Sequence, residues 1–196
     1  MEYTEQQFNL PTLVGISEDQ IKVHLGLYAG YVKHVNLIRE KIAEFENDKE
    51  KNGYIIAELR RRFSFEFDGM RMHEYYFEGL EGGFQEISEG DLKKALDEKY
   101  GSFEDFIAHF KAVGMSRGIG WTVLYWDPKG RTPHVTWVGD HELGVLSGLP
   151  ILIALDMWEH AFMVDYVPAE KAKYIDAFLS NLNWSVPETR FEKASS

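Results

Sequence analysis

Apolar positions Ile21, Leu25, Tyr28, Val32, Val35, Ile38, Ile42 and Phe45 recur at steps of three and four residues. That is the period of one helix face, and it predicts a long helix over about 18 to 47. Ser17 followed by Glu18, Asp19 and Gln20 forms a capping-box start. The Ser17 hydroxyl accepts from the N3 amide while Gln20 reaches back, and the acidic first turn suits the helix dipole. A second helical stretch is predicted over about 54 to 80, with Gly69 as an interruption that splits or kinks it. A short polar link between the two makes an antiparallel hairpin. Residues before Gly15, with Pro11 as punctuation, read as an extended arm.

The glycine-rich, acidic segment 81–90 breaks the pattern. It is the expected boundary between an arm plus hairpin (1–85) and a second part (90–196). Two short helices follow, one from Asp91 and one capped by Ser102 with Asp105 three residues on. Runs 121–126 and 134–138 read as strands joined by turn chemistry at Asp127-Pro128-Lys129-Gly130. The apolar run 149–155 reads as a buried strand. A last helix is expected from Pro168, a good N1 residue, to about Leu182.

Composition narrows the function. The chain has 196 residues, enough to bury a full core, and no cysteine, which excludes thiolate catalysis, disulfide scaffolds and cysteine-held metal clusters. A formal net charge of −11 argues against nucleic acid and anionic membranes as partners. Aromatics at 14% exclude wholesale disorder. The first residues lack a basic segment followed by an apolar one, so a cytoplasmic location is expected.

The chemistry concentrates in Asp156-Met157-Trp158-Glu159-His160. If the chain rolls into a helical turn there, Asp156 and His160 point to one side. Taken alone, that pair is most simply a structural hydrogen bond. His24 on the inner face of the first helix and His73 among apolar and aromatic neighbours of the second change the balance. Three neutral imidazoles and one carboxylate suit iron, manganese or zinc.

These residues carry a resemblance to the iron/manganese superoxide dismutase family that spans nearly the whole chain. Residues 155–162 resemble its signature D-x-W-E-H-A-[FY]. Leu10-Pro11 with Leu13 resembles the family's N-terminal arm. His24 to Asn36 resembles its first-helix motif, and Met72 to Phe77 the helix of the second ligand. Gly118-Ile119-Gly120-Trp121 with Leu124 is similar to its G-x-G-W-x-x-L strand start. Asn183-Trp184 and Arg190-Phe191 are similar to its C-terminal motif. The elements read from the residues, joined to this resemblance, give an α+β fold: an N-terminal helical hairpin and a C-terminal α/β domain whose three-stranded antiparallel sheet is flanked by helices.

The resemblance implies conversion of superoxide to oxygen and hydrogen peroxide by redox cycling of one bound iron or manganese ion, with iron or interchangeable use favoured. It implies His24, His73, Asp156 and His160 as ligands and Tyr31 at the mouth of the site. Trp121 and Trp158 belong to the aromatic shell. Glu159 reaches the ligand His of a partner in a homodimer or dimer of dimers. The family's hydrogen-bonding residue to bound solvent comes from one of two places. One is held here by Gly69, so His141 takes the role.

Some positions depart from the family pattern. Tyr31 follows His24 by seven residues rather than eight, so a regular helix presents both on one side without an inserted residue. Tyr28 and Met163 replace a His and a Tyr that meet across the dimer, which implies an altered interface. Lys171 lies near an arginine of the substrate entrance, a local cation for an anionic substrate. His34, His109 and His134 read as surface residues. A catalytically inactive, dimeric binding protein on the same fold is the alternative.

Overall fold

The computed structural model describes residues 2–195. Helix α1 spans Glu18–Phe45 and α2 spans Lys49–Glu78, joined by one 3-10 turn at Glu46–Asp48. Asp48, not the expected link to Gly53, caps α2 by accepting from the Lys51 amide. The second helix therefore starts five residues earlier than its apolar pattern predicts.

Nor does Gly69 interrupt α2, which runs through it unbroken. A Cβ at Gly69 would lie 2.7 Å from Cδ1 and 2.8 Å from Cε1 of Tyr31. The glycine is a helix-packing position: it lets the Tyr31 ring lie against the α2 backbone. Its cost to an isolated helix is about 1 kcal/mol, and the residue with no Cβ is what that approach requires.

The Ser17 cap forms as expected, with the Gln20 amide donating to Ser17 Oγ at 3.1 Å. The reciprocal half does not. The Gln20 side chain is buried instead, donating to the His160 carbonyl at 2.7 Å and accepting from the Val164 amide at 2.9 Å. The arm before α1 is pinned by Asn36, which exchanges two hydrogen bonds with the Tyr3 backbone (2.9 and 2.8 Å).

Helices α3 (Asp91–Tyr100) and α4 (Phe103–Gly114) precede three strands: β1 (Gly120–Asp127), β2 (Thr132–Gly139) and β3 (Ile151–Asp156). The sheet is antiparallel with order β2-β1-β3. Central β1 is almost wholly buried, so it reads as a continuous apolar run rather than an alternation. β3 begins two residues later than expected and includes Asp156 as its last residue, opposite Trp121 of β1.

After a 3-10 turn at Pro168–Glu170, α5 spans Lys171–Asn181. A further helix, α6 (Ser185–Ser195), follows, which the sequence pattern does not predict. Its start is signalled by Asn183, whose side-chain oxygen accepts from the Ser185 amide at 3.1 Å. Arg190 of α6 donates to the Leu152 carbonyl on β3 (2.8 Å) and to Glu78 at the end of α2 (2.6 Å), tying the C-terminus to both parts of the chain.

Candidate metal centre

Four elements bring the predicted ligands to one point. His24 projects from α1, His73 from α2, Asp156 from the end of β3 and His160 from the 3-10 turn Glu159–Ala161. The Nε2 atoms of His24, His160 and His73 stand 3.0, 3.2 and 3.5 Å from Asp156 Oδ2. One ligand atom from each of the four lies within 4.8 Å of the others. His24, His73 and Asp156 are fully buried, and the His160 side chain is 17% exposed.

The protonation pattern suits a cation. His73 Nδ1 lies 2.6 Å from the Gly69 carbonyl, and since a carbonyl only accepts, the ring carries its proton there. Its Nε2 is then a bare lone pair, buried and without a hydrogen-bond partner. His24 Nδ1 is likewise buried and unpartnered. Leaving such nitrogens unsatisfied costs about 1–3 kcal/mol each, a cost that a bound ion removes for His73.

Burial holds both His24 and His73 below the ordinary imidazole range, in the neutral, ligating form. Burial pushes the Asp156 carboxyl up, but the charge and hydrogen bond of His160 and the hydrogen bond of His24 outweigh it. The group stays well below the usual carboxylate range. The Trp158 amide donates to Asp156 Oδ1 at 2.8 Å, which leaves Oδ2 facing the histidines. These residues fit one iron or manganese ion.

Beside the cluster, Tyr31 and His141 form a connected pair. Trp121 Nε1–H donates to His141 Nδ1 at 2.9 Å. Indole is only a donor, so neutral His141 carries its proton on Nε2 and gives it to the Tyr31 oxygen at 2.7 Å. The Tyr31 hydroxyl hydrogen is left free for a third partner. Burial lowers His141 to about 4, with the Asp156 charge opposing, so the ring is neutral at physiological pH. Tyr31 is pushed well up, by burial first and then by Asp156 and Glu66.

His141 sits on a tight connection after β2. Gly139 and Leu143 exchange backbone hydrogen bonds (2.7 and 3.0 Å), and Asp140 adopts a left-handed φ of 52°. Such backbone strain in a non-glycine residue is kept where the surroundings demand it; here the turn aims His141 inward, where it is fully buried. Trp158 stacks on it at 4.9 Å and 18°, and Trp121 packs edge-on against His73 at 5.1 Å.

The remaining predicted residues separate. Tyr28 is 1% exposed, turned into its own chain. It stacks at 6.4 Å on His73, accepts from the Gln6 amide (2.9 Å) and donates to Glu74 (3.2 Å). Met163 is 48% exposed, and Glu159 is exposed beside His160. α1 is regular through the seven-residue spacing of His24 and Tyr31. Lys171 is partly buried; its Nζ donates to the Ser116 carbonyl at 2.8 Å and lies 5.2 Å from the Trp137 ring. His34 and His109 are exposed as expected, whereas His134 on β2 is half-buried.

Two participants escaped the sequence reading. Gln20 looked like a cap but holds the His160 segment against α1. Phe65 of α2, unremarked in an aromatic run, packs edge-on against His141 at 4.6 Å. Neither carries a local sequence signal beyond its helical register.

The family model for the C-terminal domain of iron/manganese superoxide dismutases matches residues 88–190. A superoxide dismutase [Fe] of Aquifex pyrophilus is 38% identical over 188 residues, covering 93% of this chain and 87% of its own. A superoxide dismutase [Fe] of Cupriavidus metallidurans is 35% identical over 185 residues, covering 93% and 91%. A mitochondrial superoxide dismutase [Mn] of Glossina morsitans morsitans is 32% identical over 183 residues, covering 92% and 83%. With three imidazoles and a carboxylate converging as described, this chain belongs to the iron/manganese superoxide dismutase family.

Proposed function

We propose that the protein is a superoxide dismutase that converts superoxide to oxygen and hydrogen peroxide, with one iron or manganese ion held by His24, His73, Asp156 and His160. The observation that carries this is the convergence of three Nε2 atoms on Asp156 Oδ2, one of them a buried lone pair with no other partner. The ion, when bound, supplies one-electron exchange and acidifies bound solvent.

The chain's own residues supply orientation and protons. Trp121 keeps the His141 proton on Nε2. His141 in turn occupies the Tyr31 oxygen, so the Tyr31 hydroxyl hydrogen is free to pass to the reduced substrate. Phe65, Trp121 and Trp158 keep the surroundings dry, which strengthens each of those hydrogen bonds. Three neutral imidazoles and one carboxylate leave a divalent or trivalent ion with net positive charge, which attracts an anion. The 35–38% identical relatives named for iron support iron as the metal.

Exposed Glu159, one residue before a ligand, supports a homodimer in which this carboxylate orients the partner's ligand imidazole. The reading of a hairpin part (1–85) and an α/β part (90–196) fits ligands drawn equally from both. A cytoplasmic setting belongs to this reading, and among the described residues no helix is long and apolar enough to cross a membrane.

Metal-free protein reloaded separately with iron and manganese, then assayed for superoxide loss, tests the reading. Activity with iron is expected. Metal bound at the site with turnover from neither ion would overturn it in favour of a binding protein on this fold.

A further inference from the structure

A chain of net charge −11 that consumes an anion needs a local positive field at its site. Lys171, the cation expected there, is engaged with the Ser116 carbonyl and the Trp137 face. Arg62 is placed differently. Its Cζ lies 3.7 Å from the centre of the Phe65 ring. That ring is 4.6 Å from His141 and 6.3 Å from both Tyr31 and Trp158. The Arg62 side chain is 45% exposed. Beneath it lies Glu66, whose side chain is 7% exposed; its carboxylate accepts a hydrogen bond from Arg62 Nε and pairs with Arg62 Nη2, both at 2.8 Å. From solvent inward the order is guanidinium, then carboxylate.

We propose that Arg62, stacked on Phe65 at the Tyr31–His141 mouth, is the cation that guides superoxide into the site, with Glu66 beneath it setting the strength of its field. This rests on the superoxide reading above. A guanidinium suits the role because it is weakly hydrated and lies flat on an aromatic face without losing its charge. Its charge reaches both Tyr31 and His141, where it opposes the effect of Glu66 on Tyr31. The neighbouring arginines are paired as Arg62 is, Arg61 bidentate with Glu58 (2.5 and 2.8 Å) and Arg60 with Glu46 (2.8 Å), but of the three it is Arg62 that lies over the Phe65 ring beside His141. Other charges near the mouth are acidic. Glu142 accepts from Ser64 at 2.5 Å, Asp68 feels the charge of Glu142, and Asp140 acts on Tyr31. His34 Nδ1 stands 3.6 Å from the far side of Glu66.

A charge-guiding pair makes a prediction that a purely structural pair does not: removing its two members has opposite effects. In the metal-loaded enzyme at low ionic strength, Arg62→Gln lowers kcat/KM about three- to tenfold, because it uncovers Glu66. Glu66→Gln raises kcat/KM about twofold, and Arg62→Lys keeps most of the rate. The differences shrink as salt is added, since screening cuts the field. Arg61→Gln is the control, with no change.

A second readout is the dissociation constant of azide, a small anion, titrated spectroscopically on the loaded protein. It rises for Arg62→Gln and falls for Glu66→Gln. Melting curves verify that each variant is folded. The proposal is overturned if both Gln variants lose rate together, or if the salt dependence of Arg62→Gln matches that of the parent. A parent that binds azide but does not turn over superoxide sinks the functional reading instead, and the azide series still decides the role of Arg62.

Discussion

The helical hairpin and the α/β part each contribute two of the four clustered side chains, but by different means. In the hairpin, His24 with Tyr31 on α1 and Gly69 with His73 on α2 are set by helical register. Seven residues make nearly two turns and four make about one. Continuous backbone ladders hold these groups, so their placement tolerates changes elsewhere. In the α/β part, Asp156 and His160 stand where a strand ends, and His141 on a strained turn. Their positions depend on cross-strand register and on contacts from outside the sheet, including Gln20 reaching from α1 to the His160 carbonyl. A helix presents a site residue by its period, whereas a strand end presents one only when neighbours hold it.

Breaking the strand-end side at its centre gives the largest effect. Asp156→Ala removes the carboxylate on which three imidazoles converge. Metal affinity is expected to fall by more than roughly a hundredfold, the upper end for outer-shell changes. Metal analysis after dialysis against a chelator checks this, and retention of a full equivalent refutes it.

The hairpin side is sharpened by Gly69→Ala. The new methyl meets the Tyr31 ring under 3 Å, so the ring or α2 must move. Overpacking of this kind costs about 1–3 kcal/mol, offset in part by the higher helix propensity of Ala. The Tyr31–His141 hydrogen bond is lost with the shift. Chemical denaturation gives the first quantity, and a crystal structure of the variant shows the second. An unmoved Tyr31 would contradict the packing role assigned to Gly69.

The smallest effect lies between the two parts, at Asp68 of α2. Burial, helped by the Glu142 charge, lifts its carboxyl from 3.8 to about 6. A folded-state value above the unfolded one means that the folded form holds the proton more tightly, so stability falls as pH rises from about 4 to about 6. Asp68→Asn is therefore more stable than the parent at pH 7.5, with no difference below about pH 4. The full shift would correspond to about 3 kcal/mol. Asp68 is only partly buried, and solvent screening reduces the expected gain to about 1 kcal/mol. Paired denaturation curves at the two pH values measure it, and a gain that persists at low pH would point to another cause.

Much of the centre was legible because its residues sit in short, ordered motifs. His24, His73, Asp156 and His160 were each read from local sequence, and the structure brings all four together. Other features were misread for identifiable reasons. Gly69 looked like a helix breaker because propensity counts only the local cost, not the ring packed against it. Gln20 looked like half of a capping box because a pattern of spacing carries no sign of a partner 140 residues away. Helix α6 is masked by a proline at its third position.

The sequence alone determined the helical hairpin, the types of the clustered side chains and the seven-residue step from His24 to Tyr31, since these follow from side-chain chemistry and a local period. Tertiary structure decided which nitrogen of His141 carries the proton, because its Trp121 partner arrives from β1, whereas the His73 proton follows from Gly69 one turn back on the same helix. It also decided which ring each cation packs on. Lys171 and Arg62 are both positive in sequence, but only packing places one on the Trp137 face and the other over Phe65.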